Sequence, residues 1–508
     1  MSRSASRLFS VFALGCCLAC SPRESYEGEN ADRELAEKHC QSCHSLPVPN
    51  SLDKTTWRDY VFPKMGPLLG IKRFAGQEYP DESTMDNLHL FPEKPLLTEQ
   101  EWAAVIRYYT TLAPSTMPPQ AARAAIAPYT PLFKARFPKF PYRNRPVLSL
   151  VKIDTARHRL YFGEAERGVL YRTDTAMAGL DSVRVGTGPV QMEFDRNGFC
   201  LLSMGTFHPS DGTAGVLRYV PDGRQPVETR VAGLSRPTHF LRHDLNNDSR
   251  DDYVVCGFGY YAGSLDWFEN MGEPPARPEK HPLNPAAGAI QSALHDFDED
   301  GKPELLVLMA QGNEGLDLYP STGNGLGPPR RLLQFHPSFG SNSFSLVDFN
   351  GDGHMDIVAT NGDNGDYRPI LKNYHGVRIY LNDGDNNFFE KYFFPINGIT
   401  KAVPADFDRD GDLDIATIAY FPDYGRTPQE SFVYLENQGD WKFAPATFGD
   451  FASGRWQVMD AGDADGDGDL DILLGSCVLD IYPAPAPFWQ RWQQSRHPIV
   501  LLENTTEK

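Results

Sequence analysis

The chain has 508 residues, with 48 Lys and Arg against 67 Asp and Glu, for a formal net charge of −19. That balance excludes nucleic acid and anionic membrane surfaces as partners, and 41% hydrophobic with 12% aromatic residues is too apolar for a disordered chain. The 44 glycines and 41 prolines point to many tight turns between short packed strands.

Residues 1–20 read as a targeting segment. Arg3 and Arg7 precede an apolar run from Leu8 to Ala19, too short to span a bilayer but suited to a secretory signal. Its end, Cys17-Leu18-Ala19-Cys20, resembles a bacterial lipoprotein cleavage box, with Cys16 offering a second register. The resemblance implies lipidation of Cys20 and a periplasmic or cell-surface location, with attachment to the membrane only through the lipid. Residues 21–31 form a linker.

Residues 32–114 read as a first domain. A short helix over 32–39 leads into Cys40-Gln41-Ser42-Cys43-His44. In a C-x-x-C-H run, two thiols can form thioethers to haem vinyl groups while the adjacent imidazole becomes an axial iron ligand. No second C-x-x-C completes a zinc site. Thr98-Glu99-Gln100-Glu101 is a capping-box start for an aromatic-rich helix through Leu112, stopped by Pro114. Together these features resemble a small all-α class I cytochrome c domain. The resemblance implies one haem c held by Cys40 and Cys43, with His44 and a methionine on iron. Met65, in a W-x-x-x-V-x-x-x-M segment, is preferred over Met85.

Prolines 114, 118, 119, 128, 131, 138, 141 and 146 mark residues 115–144 as a stiff linker. From 145 to 508 the chain repeats. Five loops share acidic or amide residues at positions 1, 3, 5 and 9: Asp244, Asn246, Asp248 and Asp252; Asp296, Asp298, Asp300 and Glu304; Asp348, Asn350, Asp352 and Asp356; Asp406, Asp408, Asp410 and Asp414; and Asp463, Asp465, Asp467 and Asp471. Successive loops lie 52, 52, 58 and 57 residues apart. Alternate oxygens on a tight turn, with Gly or Ser at position 6, are calcium chemistry, and about five calcium ions are expected. Position 12 is Val255, Val307, Ala359, Thr417 or Leu474, never the glutamate of an EF-hand. Two weaker copies, around Asp154 and Asp195, bring the count to seven units of blade size, which predicts an all-β seven-bladed propeller.

The loops resemble the FG-GAP or VCBS repeats of integrin-type propellers, which implies calcium in external hairpin loops. Neutralising the 18 carboxylates of these loops takes the formal charge from −19 to −1. The acidity is therefore mostly metal loops. Insertions at 361–376, 420–426 and 480–497, with Tyr260 and Tyr261, fall at equivalent places and could form one mouth for a polysaccharide or a protein, where His375 is the first residue to substitute. Cys200, Cys256 and Cys477 admit one disulfide and a thiol, or three buried thiols.

The joined parts resemble multidomain bacterial cytochromes with a C-terminal repeat propeller. Two functions follow: an electron carrier serving a redox partner protein, or an oxidoreductase whose propeller oxidises a small substrate and passes electrons to haem. No G-x-S-x-G, H-E-x-x-H or phosphate-binding glycine loop points to another enzyme class.

Overall fold

Strands of four to eight residues recur from Leu148 to Asn504, and the most buried of them are near-continuous apolar runs. The second strand of every blade shows why. In Glu304–Met309 all six residues are buried. Leu305 and Val307 join a cluster with Val254 and Cys256 of the preceding blade, while Leu306 and Leu308 join Ile357 and Ala359 of the following one. A strand between two neighbouring sheets alternates its side chains between two cores, so its sequence reads as an unbroken apolar run.

The computed structural model describes residues 26–79, 91–222, 227–272, 278–365, 368–480 and 484–506. Cys20 and Met85 lie outside these. Seven four-stranded antiparallel sheets form a ring, numbered here as blades 1 to 7. Blades 1 to 6 begin at Leu148, Pro189, Pro237, Ala289, Ser341 and Ile399, and blade 7 at Trp456. The two upstream copies without a full acidic set are true blades. Asp154 and Asp195 there are held by arginines instead: Asp154 by Arg157 at 3.3 Å and Asp195 by Arg242 at 3.4 Å.

Blade 7 corrects the expected domain boundary. Its fourth strand is Phe133–Arg136, from within the proline-rich segment read as a linker, paired antiparallel with Leu501–Asn504. The ring is thus closed by strands from its two ends, which removes the exposed edge an open array would leave. The rest of that segment is also bound: Ala127 bridges Ala446, and the Thr130 amide donates to the Thr447 carbonyl at 3.0 Å. Residues 115–144 are a strap along the propeller, not a free spacer.

Before the strap lies a small N-terminal helical part. Its first helix is Glu29–Cys40, so it begins inside the expected linker, and its last is Glu99–Leu112. The capping box is formed: the Glu101 amide donates to Thr98 Oγ1 at 3.2 Å and the Thr98 amide to Glu101 Oε2 at 2.8 Å. Arg107 grips Asp32 through two hydrogen bonds of 2.8 and 2.7 Å, fastening the last helix to the first. Between them Trp57, Phe62, Trp102 and Tyr109 pack as an aromatic core, with Trp57 and Tyr109 centroids 4.3 Å apart. No described helix is long and apolar enough to cross a membrane.

Cys200, Cys256 and Cys477 are three separate buried thiols. Burial pushes the Cys256 and Cys477 thiols up to about 12.

Candidate functional site

Because consecutive strands are antiparallel, every blade turns alternately on the two faces of the ring. The five acidic loops connect first to second strands and share one face. The second-to-third connections, which include the insertions, share the other.

On the acidic face the five loops share one backbone shape. Position 4 has left-handed backbone at Asn247, Glu299, Gly351, Arg409 and Gly466, and position 6 at Ser249, Gly301, Gly353, Gly411 and Gly468. The first carboxylate gathers the turn: Asp348 Oδ1 accepts from the Asp352 amide at 3.1 Å and Oδ2 from the Gly353 amide at 2.8 Å. In three loops the acids at positions 1, 3 and 5 bring ligand oxygens within 4.8 Å of one another: Asp296, Asp298 and Asp300; Asp406, Asp408 and Asp410; and Asp463, Asp465 and Asp467. The other two loops carry Asn246 and Asn350 at position 3.

The ninth-position acids behave differently from the rest of the expected ligand set. Asp252, Glu304, Asp356, Asp414 and Asp471 are buried beneath their loops. Asp356 accepts from the Phe349 amide at 2.9 Å and the Asn382 amide at 2.8 Å, and Asp471 accepts from the Ala464 and Asn504 amides at 3.0 and 2.8 Å. They tie the loop to the third strand of the blade, and burial pushes Asp414 and Asp471 up to about 6. Gly353→Ala tests the turn itself, since φ is +91° and an added Cβ meets nothing within 4 Å. The substitution is expected to cost about 1–2 kcal/mol in urea unfolding from backbone strain alone.

On the opposite face, the insertions of blades 6 and 7 fold onto each other. Tyr424 packs against Phe488 at 4.9 Å and Trp492 at 5.8 Å, and the Arg455 guanidinium lies 3.9 Å over the Tyr420 ring. His375 is fully buried rather than displayed at a mouth, and burial holds its imidazole well below the ordinary range. Over blades 3 to 5 the face is covered by the helical part. Tyr374 Oη donates to the Ser51 carbonyl at 2.8 Å, the Val48 amide donates to His336 Nε2 at 3.0 Å, and Tyr261 meets Phe91 at 6.0 Å.

Between the two parts lies a cavity of about 440 Å³. Cys40, Cys43, His44 and Met65 all line it. The thiols form no disulfide. His44 Nδ1 lies 2.8 Å from the Ser45 carbonyl, an acceptor to which Nδ1 donates, so Nε2 is the ring nitrogen not used by that bond. Trp57, Phe62, Trp102 and Tyr109 supply aromatic walls. The propeller closes the other side with a polar wall that includes Glu314, Ser338, Asp363 and Lys372.

Sequence reasoning missed this second wall. Glu314 stands alone in a short connection of blade 4, at the position where blades 5 to 7 carry their insertions, and that equivalence was the available signal.

Residues 244–307, 296–359 and 361–417 each match the model of the FG-GAP-like repeat. These stretches are FG-GAP-like repeats. They span the acidic loops beginning at Asp244, Asp296, Asp348 and Asp406. No curated protein matches the chain. Among solved structures, that of YCF48 bound to D1 peptide is similar at 9% identity over 75% of this chain and 100% of that one, with a TM-score of 0.44. A luciferin-regenerating enzyme is similar at 11% identity over 62% of this chain and 99% of that one, with a TM-score of 0.37.

Proposed function

We propose that the chain is an exported, lipid-anchored electron-transfer protein with one covalent haem c, in which the calcium-loaded FG-GAP propeller serves as docking face and as one wall of the haem cavity. The observation that carries this reading is the convergence of Cys40, Cys43, His44 and Met65 on a single cavity. The donor set fits the group: two unpaired thiols adjoin an imidazole with Nε2 available, and a thioether lies on the same cavity. Aromatic and aliphatic side chains there offer an apolar lining to such a ring.

Bound there, a haem would supply a one-electron couple, whose potential a thioether ligand would raise. Cys40 and Cys43 would anchor the ring, His44 is held in register by the Ser45 carbonyl, and Met65 packs against the aromatic core.

Met65→Ala is expected to lower the reduction potential of the loaded protein and remove the weak long-wavelength absorption of a thioether bound to ferric iron. An unchanged potential and spectrum would assign the sixth ligand elsewhere, with Met85 the candidate.

The polar wall of the cavity favours a second reading, in which a small molecule reaches the haem through the propeller side and is oxidised there. Following the haem absorption while sugars, alcohols, oxyanions and reduced redox proteins are added singly separates the two. Reduction by redox proteins alone supports the carrier, and turnover with a small molecule supports the oxidoreductase.

A further inference from the structure

We propose that Glu314 is a redox-linked proton site, taking up one proton as the cavity's cofactor gains an electron and releasing it when the electron leaves. The inference rests on the haem reading above and gives the propeller a part in its chemistry. Glu314 is a carboxyl group 2% exposed, at the domain interface, on the same cavity as Cys40, Cys43, His44 and Met65. Among the described residues none forms a salt bridge with it, and Lys372 acts on it through its charge. Its carboxylate accepts three hydrogen bonds, from the Ser341 amide at 2.8 Å, Ser341 Oγ at 2.6 Å and the Gly340 amide at 3.1 Å.

These donors favour the ionised form and burial opposes it. Burial prevails and pushes the group up to about 7. An ionisation so finely balanced responds to one added charge. An electron entering a poorly screening cavity disfavours a nearby carboxylate, so Glu314 holds its proton to higher pH in the reduced protein.

The electron comes from a one-electron donor and the proton from solvent, so the cavity gains no net charge. Lys372, which favours the carboxylate, Tyr374 and Asp363 are the titratable neighbours from blade 5. His336 stands beside blade 4, where burial and His44 push it down to about 4. His39, His44 and Lys64 line the cavity from the helical part. Arg331 binds the Glu314 backbone carbonyl at 3.0 Å and pairs its guanidinium with Asp317 rather than with the carboxylate.

The test is potentiometry of the full-length haem-loaded protein from mildly acidic to mildly alkaline pH. The potential is expected to fall with rising pH around neutrality, and Glu314→Gln to flatten that slope. Ser341→Ala, which removes one donor to the ionised form, is expected to move the bend to higher pH. A slope unchanged in Glu314→Gln overturns the inference while leaving covalent haem intact. If Glu314→Gln does not fold, an unmoved bend in Ser341→Ala overturns it equally. Absence of covalent haem overturns the underlying reading instead, and the inference with it.

Discussion

Chelation of divalent metal is expected to lower the thermal midpoint of the propeller by about 10 °C or more, with calcium restoring it. The size follows from linkage. An ion at a hundred times its dissociation constant contributes about 2.7 kcal/mol per site, and the sites expected from the acidic loops, about five, would act on one ring. Clustered carboxylates such as Asp463, Asp465 and Asp467, whose ligand oxygens lie within 4.8 Å of one another, would repel once an ion is removed. Burial of Asp414 and Asp471 beneath those loops adds to the cost of leaving the charge uncompensated. Scanning calorimetry with chelator, then with calcium added back, reads the effect. An unchanged midpoint would mean that amide hydrogen bonds alone hold the loops, as those from Asp352 and Gly353 to Asp348 do in part.

Arg123→Met is expected to cost about 3–5 kcal/mol, the range for leaving a buried charge without its partner. Arg123 lies on the strap and reaches Glu430, fully buried in blade 6, at 2.5 Å. Asn397 Nδ2 at 3.1 Å and the Asp423 amide at 2.9 Å complete the carboxylate's partners. Replacing the arginine leaves these neutral donors facing an uncompensated charge, and burial then pushes Glu430 further toward its protonated form. Arg123→Met combined with Glu430→Gln is expected to recover most of the loss in urea unfolding. Equal destabilisation in the single and double variants would mean that Arg123 acts by packing over Phe394, 5.4 Å from its guanidinium, rather than by charge.

The repeat was legible because its chemistry is local. Asp at positions 1, 3 and 5 and Gly at position 6 are one turn's requirements, written within nine residues, and the apolar run that follows is the mark of a strand buried on both sides. C-x-x-C-H and the Thr98 to Glu101 capping box are equally local. What the sequence could not display is pairing between distant segments. Phe133–Arg136 is a four-residue strand among prolines, and its partner lies at the far end of the chain. Asp252 and its equivalents fit a ligand pattern, yet the amides that occupy them come partly from the third strand of the blade. Glu314 and Lys372 meet Cys40 and Met65 only because the helical part sits on blades 3 to 5, a contact that no spacing encodes.

That contact also changes what the propeller does in the account. A separate scaffold would leave the haem edge to any partner, whereas here the polar face of blades 4 and 5 stands across the cavity from the C-x-x-C-H motif. On the proposed haem reading, electron exchange would take place under the influence of propeller residues, and damage to the ring by metal loss is expected to reach the haem as well as the fold.

The most direct test of the central claim is the mass and absorption of the denatured chain after production in an exporting host with covalent haem attachment. The account predicts one haem retained per chain through denaturation, and its loss when Cys40 and Cys43 are both replaced by serine. A wild-type chain that carries no covalent haem under those conditions would contradict it.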